Sequence, residues 1–297
     1  MEKITVLAPA KVNLALEVCG LLPGGYHALD MVMQAVTLYE TVTVEKRLSG
    51  IQLTCRAQGG ALAADVPADS RNLAWRAAQL FLQATGIRGG AALEIVKATP
   101  SQAGMAGGSA DAAGVLFALD RLYRTGLSLP QLCALGAQLG SDVPFCLVGG
   151  TARVQGRGER VQPLPPLPDC WLTAVMPHTG SSTPEGFARY DRMGSPLHPD
   201  VQAMVRALQR QSLAGVCAQA GNALQAACAT AETQEIVQAL RAAGADAALL
   251  TGTGAVTYGI FTQEEAAEAA GLSLRRRFEP VFVLRPERRG PFVKEEG

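Results

Sequence analysis

The stretch Pro100-Ser101-Gln102-Ala103-Gly104-Met105-Ala106-Gly107-Gly108-Ser109-Ala110-Asp111-Ala112-Ala113 governs the reading of this chain. It is almost free of bulky side chains, yet it lies between two strongly patterned segments. Upstream, Ala91 to Ala98 (AALEIVKA) alternates like a half-buried strand. Downstream, Val115, Leu116, Leu119, Leu122 and Tyr123 recur at helical spacing. A strand therefore feeds a small-residue loop, and the loop feeds a helix. Gly104, Gly107 and Gly108 let the backbone turn freely and approach a ligand closely. Ser109 or Asp111 is placed to cap the helix start. Open N–H groups and the helix dipole at such an end favour an anion, most often a phosphate. A tight glycine turn with no ligand fits the glycines alone equally well.

Composition limits what the loop can serve. The chain has 297 residues, 48% of them hydrophobic, enough for a large core and more consistent with two domains than one. Its formal net charge is +0, which argues against bulk attraction to nucleic acid or to an anionic membrane but leaves room for a local anion site. The apolar runs are too short to span a bilayer. The start, MEKITVLAPAK, lacks a signal-peptide core, so a soluble cytoplasmic protein is expected. The seven cysteines are scattered, with no C-x-x-C pair, and the histidines are three; zinc-site spacing is absent.

Working outward from the loop, a strand over ITVLA is expected to lead through a proline-containing turn into a second strand. In that second strand Val12, Leu14, Leu16 and Val18 form one face and Lys11 and Asn13 the other. Pro23-Gly24-Gly25 marks a turn. Tyr26 and His27 follow it, two rings able to stack on a flat group and to hydrogen-bond, or simply to pack on the surface. Residues 31–36 are mostly apolar, and 41–45 and 51–55 alternate, so the N-terminal part is β-rich. Helices are expected over 73–85, ended by Gly86, from the loop to about Arg124, and over 129–139. Asp142 then stands before Val143-Pro144-Phe145, an acid at an element boundary, open to a helix-cap or Asx-turn role. A hairpin is expected to turn at 156–158. Leu164 to Asp169 (LPPLPD) is the best boundary, dividing an N-terminal domain, 1–163, from a C-terminal domain, 164–297. Beyond it come a buried strand (170–177), a loop followed by a helix over 178–191, helices near 201–209, 223–230, 232–243 and 264–270, a strand–glycine turn–strand over 248–261, and a strand at 281–284.

The lysine-bearing phosphate motif G-x-x-x-x-G-K-[ST] is absent, and no G-x-G-x-x-G follows a strand, so a dinucleotide site has little support. A glycine loop without its own lysine must hold phosphates through backbone N–H groups, with countercharge from Mg²⁺ or from elsewhere in the chain. Phosphoryl transfer would then need an acid or base for the attacking hydroxyl and a cation near the moving charge. Asp142 and Lys11 can fill those roles if the fold brings them together.

Four stretches carry a resemblance: APAKVNLALEV with PGGYHALDMVMQ, PSQAGMAGGSADAA, GSDVPFCLVGGTARVQGRGE, and TGTGAVTYGIF, together running from about residue 8 to 261. The chain resembles the GHMP family of small-molecule kinases. The PGGYH and GSDVPFC to GRGE segments narrow the resemblance to a branch serving isoprenoid precursor synthesis, which phosphorylates a hydroxyl of a cytidyl diphosphate sugar alcohol. The resemblance implies a two-domain α/β (α+β) fold with the active site in the interdomain cleft, ATP and Mg²⁺ as cofactors, no nucleic-acid or membrane partner, and a monomer or weak homodimer. It implies that Asp142 accepts the substrate hydroxyl proton and that Lys11 orients that hydroxyl or lowers its pKa. Pro100, Ser101, Gln102, Ala103, Gly104, Met105, Ala106, Gly107, Gly108, Ser109 and Ala110 match the ATP loop; no protein metal ligand is assigned. Tyr26 and His27 match positions expected to hold the cytosine, and Asn13 and Thr183 positions near the alcohol end.

The pattern departs from the family at three places. Ser101 and Gln102 stand where a hydrophobic and a small residue are usual. Thr251-Gly252-Thr253-Gly254-Ala255 replaces a Ser-Gly-Ser-Gly start. Ala223 follows Asn222 where an acid is common. Kinases of the same family acting on mevalonate, homoserine or a sugar, and a non-catalytic nucleotide-binding member, are the alternative readings. Tyr26-His27 speaks against the first group, and retention of both Lys11 and Asp142 against the second.

Overall fold

The computed structural model describes residues 2–57, 66–180, 182–193 and 197–295. Two long strands, β1 (Lys3–Leu21) and β2 (His27–Arg47), pair antiparallel from Lys3↔Glu45 to Leu21↔His27. The expected break at Pro9 does not occur: β1 is one strand, and the residues expected to follow a turn simply continue it. Pro9 has no N–H to give the ladder. A register shift between Pro9 and Ala10 absorbs that loss and lets the strand run on.

The remaining elements follow in order: β3 (Gly50–Ala57), α1 (Leu73–Thr85), β4 (Gly90–Lys97), α2 (Gly107–Tyr123), α3 (Leu129–Leu139), α4 (Val143–Val148), β5 (Thr151–Gly156), β6 (Arg160–Pro163) and β7 (Trp171–Val175). Then come α5 (Thr183–Tyr190), α6 (Val201–Gln209), α7 (Leu213–Gln219), β8 (Gly221–Asn222), α8 (Gln225–Cys228), α9 (Ala231–Ala242), β9 (Ala247–Leu250), β10 (Thr257–Phe261), α10 (Glu264–Leu274), β11 (Val281–Leu284) and β12 (Phe292–Val293).

The helix signals act as their chemistry dictates. Asn72 accepts the Ala74 N–H at 2.9 Å and caps α1, and Gly86 ends it at φ 67°. Ala74, Ala77, Ala78 and Phe81 form the buried face of α1. Burying one side chain the size of Phe81 contributes about 1.5–3 kcal/mol. Two helices escaped the sequence pattern. α4 has six residues and α7 seven, too short to display a period. The helix expected over 223–230 shrinks to α8, because the Ala223 N–H bonds the Leu16 carbonyl of β1 at 2.9 Å and the backbone is extended again at Ala229.

One sheet runs β12-β1-β2-β4-β3, with β5 added on β2, β6 on β5 and β8 on β1; the second runs β11-β7-β10-β9. β8 and β12 lie beyond the Pro-rich segment in sequence, yet both pair with β1. The middle of β1 (Ala10, Val12, Leu14) shares a core with Leu172, Ala174, Tyr258 and Ile260 of the second sheet. The two units therefore meet at β1, and the side chains on the opposite face of that stretch, Lys11 and Asn13, lie at the junction. No helix among the described residues is long and apolar enough to cross a membrane.

Candidate active site

The glycine loop leads into α2 as expected, but its cap is different. Ala106 is the N-cap residue, left-handed at φ 61°, and no side chain caps the first turn. Ser109 and Asp111, expected as caps, lie inside the helix. Asp111 is drawn away by Lys97, whose ammonium is 2.6 Å from its carboxylate. Lys97 is also 3.0 Å from Glu40, whose two oxygens accept the Ala98 and Thr99 N–H groups at 2.9 and 3.1 Å. The α2 N-terminus is thus tied to the end of β4 while its first N–H groups stay free of side-chain caps. Burial and the neighbouring Glu40 push the Asp111 carboxyl up to about 7. The two carboxylates in turn hold the proton on Lys97, raising its pKa. One cation faces two acids, so retaining one extra proton leaves the buried cluster neutral.

The segment 251–256 braces the loop from the second sheet. The Ala255 and Val256 N–H groups bond the Gln102 and Ala103 carbonyls at 3.0 and 3.1 Å. Gly104 sits at φ +74°, and a Cβ there would fall 2.3 Å from the Thr251 carbonyl oxygen, so only glycine fits. Asn222 donates to the Leu250 and Gly252 carbonyls at 2.9 and 2.7 Å, holding the brace itself. The threonines that replace serines keep hydroxyl contacts: Thr251 bonds Asn13, and the Thr253 and Thr183 hydroxyls are 2.9 Å apart. A cavity of about 440 Å³ lies along this loop, bordered by Pro100 to Ser109, by Val66 and Pro67, and by Asn72 and Leu73.

Lys11 is 3% exposed, unlike a solvated strand lysine. Its ammonium donates to Asn13 Oδ1 and to the Gly104 carbonyl, both at 2.8 Å, and lies 3.6 Å from Asp142 Oδ2. Asn13 is equally buried. Its N–H donates to Thr251 Oγ1 at 3.0 Å, and its carbonyl accepts the buried Tyr258 hydroxyl at 2.7 Å. Asp142 occupies the N-cap position of α4 but makes no capping bond; its carboxylate turns toward Lys11. The helix-cap alternative is therefore set aside.

Lys11, Asn13, Asp142 and Thr183 line a second cavity of about 300 Å³, with Met31, Ser141, Arg157, Phe187 and Thr253 among its other walls. Tyr26 and His27 stand at its rim rather than in it, each touching a wall residue. The Arg157 guanidinium lies 3.6 Å from the centre of the Tyr26 ring. His27 stacks on Phe187 with centroids 4.5 Å apart and its Nε2 is 2.7 Å from Asp191 Oδ1. Gly104 and Ala106 line both cavities, so the two share a wall at the glycine loop.

Sequence reasoning missed Lys97, Glu40, Arg157, Phe187, Asp191 and the bracing role of Asn222, and gave Asp111 a capping role in place of its pairing with Lys97. Lys97 alternates with apolar neighbours and reads as an ordinary outward strand residue. Phe187 lies in α5 and Asp191 just past its end, in a stretch whose pattern offers no hint of a site. Arg157, between two glycines in the hairpin turn, carried the one usable signal.

Comparison with known proteins shows the family. Residues 72–150 match the GHMP kinases N-terminal domain and residues 203–280 the GHMP kinases C-terminal domain. The 4-diphosphocytidyl-2-C-methyl-D-erythritol kinase of Pelotomaculum thermopropionicum is 42% identical over 95% of this chain and 97% of its own. That of Geobacillus thermodenitrificans is 39% identical over 95% and 97%. A crystal structure of 4-(cytidine 5'-diphospho)-2C-methyl-D-erythritol kinase superposes with TM-score 0.76 at 32% identity, covering 96% of this chain and all 100% of the other. The homoserine kinase of Cytophaga hutchinsonii, TM-score 0.78 at 19% identity over 99% and 98%, shares the fold. The chain belongs to the GHMP kinases, in the family of the 4-diphosphocytidyl-2-C-methyl-D-erythritol kinases.

Proposed function

We propose that this protein transfers the γ-phosphoryl group of ATP to the 2-hydroxyl of 4-diphosphocytidyl-2-C-methyl-D-erythritol, a step of the non-mevalonate route to isoprenoid precursors. The observation that carries this reading is the position of the Lys11–Asp142 pair, 3.6 Å apart in a cavity whose wall is the glycine loop itself. A phosphoryl donor lying along the loop and an alcohol beside the pair are then neighbours.

In this reading Asp142 accepts the hydroxyl proton as the oxygen attacks. An ammonium has three donors. Lys11 commits two of them to Asn13 and Gly104, which aims the third at Asp142. The 3.6 Å separation is an ion pair rather than a hydrogen bond, so the substrate hydroxyl can sit between the two groups. Lys11 stabilises the negative charge that develops on the alcohol oxygen. The open N–H groups at the start of α2 hold the phosphates, as residues 100–110 of the loop are proposed to do. Asn13 and Thr183 hold the alcohol end, and Tyr26 and His27, with Phe187 behind, hold the cytosine. Positioning and electrostatics supply most of the rate, as phosphoryl transfer requires.

No cluster of three or more His, Cys, Asp or Glu among the described residues is arranged to hold a metal. Mg²⁺ rarely needs such a cage, since it keeps waters and binds substrate phosphates. The donor set fits an ion that arrives on the triphosphate, with the Ser109 hydroxyl beside the loop cavity as its protein contact. Bound there, it would neutralise phosphate charge. The division of the chain at 163/164, a cytoplasmic location and a monomer or weak homodimer complete the proposal.

The test is direct: incubate the protein with ATP, Mg²⁺ and the cytidyl substrate, and follow ADP. Turnover with this alcohol, and not with mevalonate, homoserine or a sugar, is the expected result. Faster turnover with another alcohol would replace the substrate assignment, and none with any would end the kinase reading.

A further inference from the structure

Two basic side chains, Lys11 and Arg157, line the acceptor cavity. Lys11 is consumed by Asn13, Gly104 and Asp142. Its charge is balanced by Asp142, so the pair contributes almost no net field to an anion. Arg157 is different. It is exposed on the turn between β5 and β6, flanked by Gly156 and Gly158, both at positive φ (77° and 125°). No carboxylate oxygen of the described residues lies within 4.0 Å of its guanidinium. The nearest acid in sequence, Glu159, spends its carboxylate on the Arg157 backbone N–H at 2.7 Å. Four positions earlier in the same hairpin, Arg153 is bonded to Asp30 at 2.9 and 2.6 Å. The guanidinium of Arg157 rests instead on the Tyr26 ring, 3.6 Å from its centre.

We infer that Arg157 binds the diphosphate of the nucleotide-linked acceptor. This rests on the reading above, in which a cytosine lies at Tyr26 and the hydroxyl at Asp142. Arg157 stands between the two ends of that span, since it covers Tyr26 and lines the same cavity as Ser141 and Asp142. The diphosphate that joins base to alcohol must cross the same interval. A planar guanidinium offers paired N–H donors that match phosphate oxygens, and it keeps its stacking face for the aromatic ring while doing so. Without it, a diphosphate would enter a cavity whose remaining fixed charges cancel. Arg157 is a specificity residue for nucleoside diphosphates over uncharged nucleosides; it takes no part in proton transfer.

The experiment measures binding of CDP and of cytidine to the wild-type protein and to R157Q by calorimetry, with ATP binding as the check that each protein is folded. The turn position is exposed, so R157Q retains its fold. Wild type is expected to bind CDP at least about tenfold more tightly than cytidine, the size of one charge-assisted contact. In R157Q that preference collapses to about twofold or less through loss of CDP affinity, and R157K restores part of it. Raising the salt concentration weakens CDP binding in wild type much more than in R157Q. If R157Q keeps the full preference for CDP, or wild type shows none, the assignment to Arg157 is wrong while the cytosine site stands. If wild type binds neither cytidine nor CDP, the cytidyl-substrate reading fails and this inference with it.

Discussion

The Lys11 ammonium and the Asp142 carboxylate face each other across 3.6 Å, one on a central strand and the other just ahead of a six-residue helix. Neither residue is in its usual setting: the lysine is buried and the aspartate caps nothing. Asn13 and the Gly104 carbonyl hold the lysine from the other side, so the ammonium can turn only toward the acid. Asp142→Asn leaves that frame intact but removes the proton acceptor. We expect kcat to fall by about 10²- to 10⁴-fold, the usual reach of a positioned general base, with nucleotide affinity within about twofold of wild type. Steady-state rates alongside nucleotide titration check both halves; a near-normal kcat would take Asp142 out of the chemistry.

Gly104→Ala and Gly108→Ala should part company. At Gly104 a Cβ meets backbone oxygen at 2.3 Å and the φ is +74°. The loop and segment 251–256 must then separate, costing about 1–3 kcal/mol and weakening ATP binding. At Gly108, inside α2, the nearest contact is Leu73 Cδ1 at 3.7 Å, ordinary packing. That variant should be as stable as wild type or gain about 0.5–1 kcal/mol from helix propensity. Urea denaturation of the two proteins settles it, and equal stabilities would contradict the bracing geometry.

Asp111 gives the protein a pH signature. Its carboxyl is raised from the ordinary 3.8 to about 7 by burial and by Glu40. Between those values the folded protein keeps a proton that the unfolded chain has released. Stability from this group is therefore full below about pH 4 and lost as pH rises toward 7, with a slope of at most about 1.4 kcal/mol per pH unit. Asp111→Asn removes the titration. Its stability should change less between pH 5 and 8 than that of wild type, and a steeper change would refute the shared-proton account.

Phe187 backs His27 at a centroid distance of 4.5 Å. Phe187→Ala removes a stacked partner worth about 0.5–1.5 kcal/mol. The KM for the cytidyl substrate should rise about two- to tenfold, with kcat and the ATP KM little changed. Tyr26→Ala should act in the same direction. If both variants keep the wild-type KM, the base does not lie at this rim.

Local chemistry made a good part of the molecule legible. Alternation marked β4, amphipathic spacing marked α1 and Gly86 its end, a helix-start signal marked α3, and the small-residue run marked a loop entering a helix. These features depend on neighbours a few residues away, and a sequence displays such neighbours. The site residues Lys11, Asn13 and Asp142 came from motif resemblance, because nothing in their local pattern separates them from solvated or capping residues. Other features depend on partners far along the chain and could not be read at all. Lys97 pairs with Glu40 as well as with nearby Asp111, Asn222 holds a turn from the opposite sheet, and His27 leans on Phe187 and Asp191. The continuity of β1 through Pro9 belongs here too, since an irregular register with β2 permits it. The glycine loop shows the division most clearly. Its residues announce an anion site, but only the packing of 251–256 against Gly104, which meet when the two sheets come together, and of Lys97 against Asp111, which ties α2 to the end of β4, fixes where its N–H groups point.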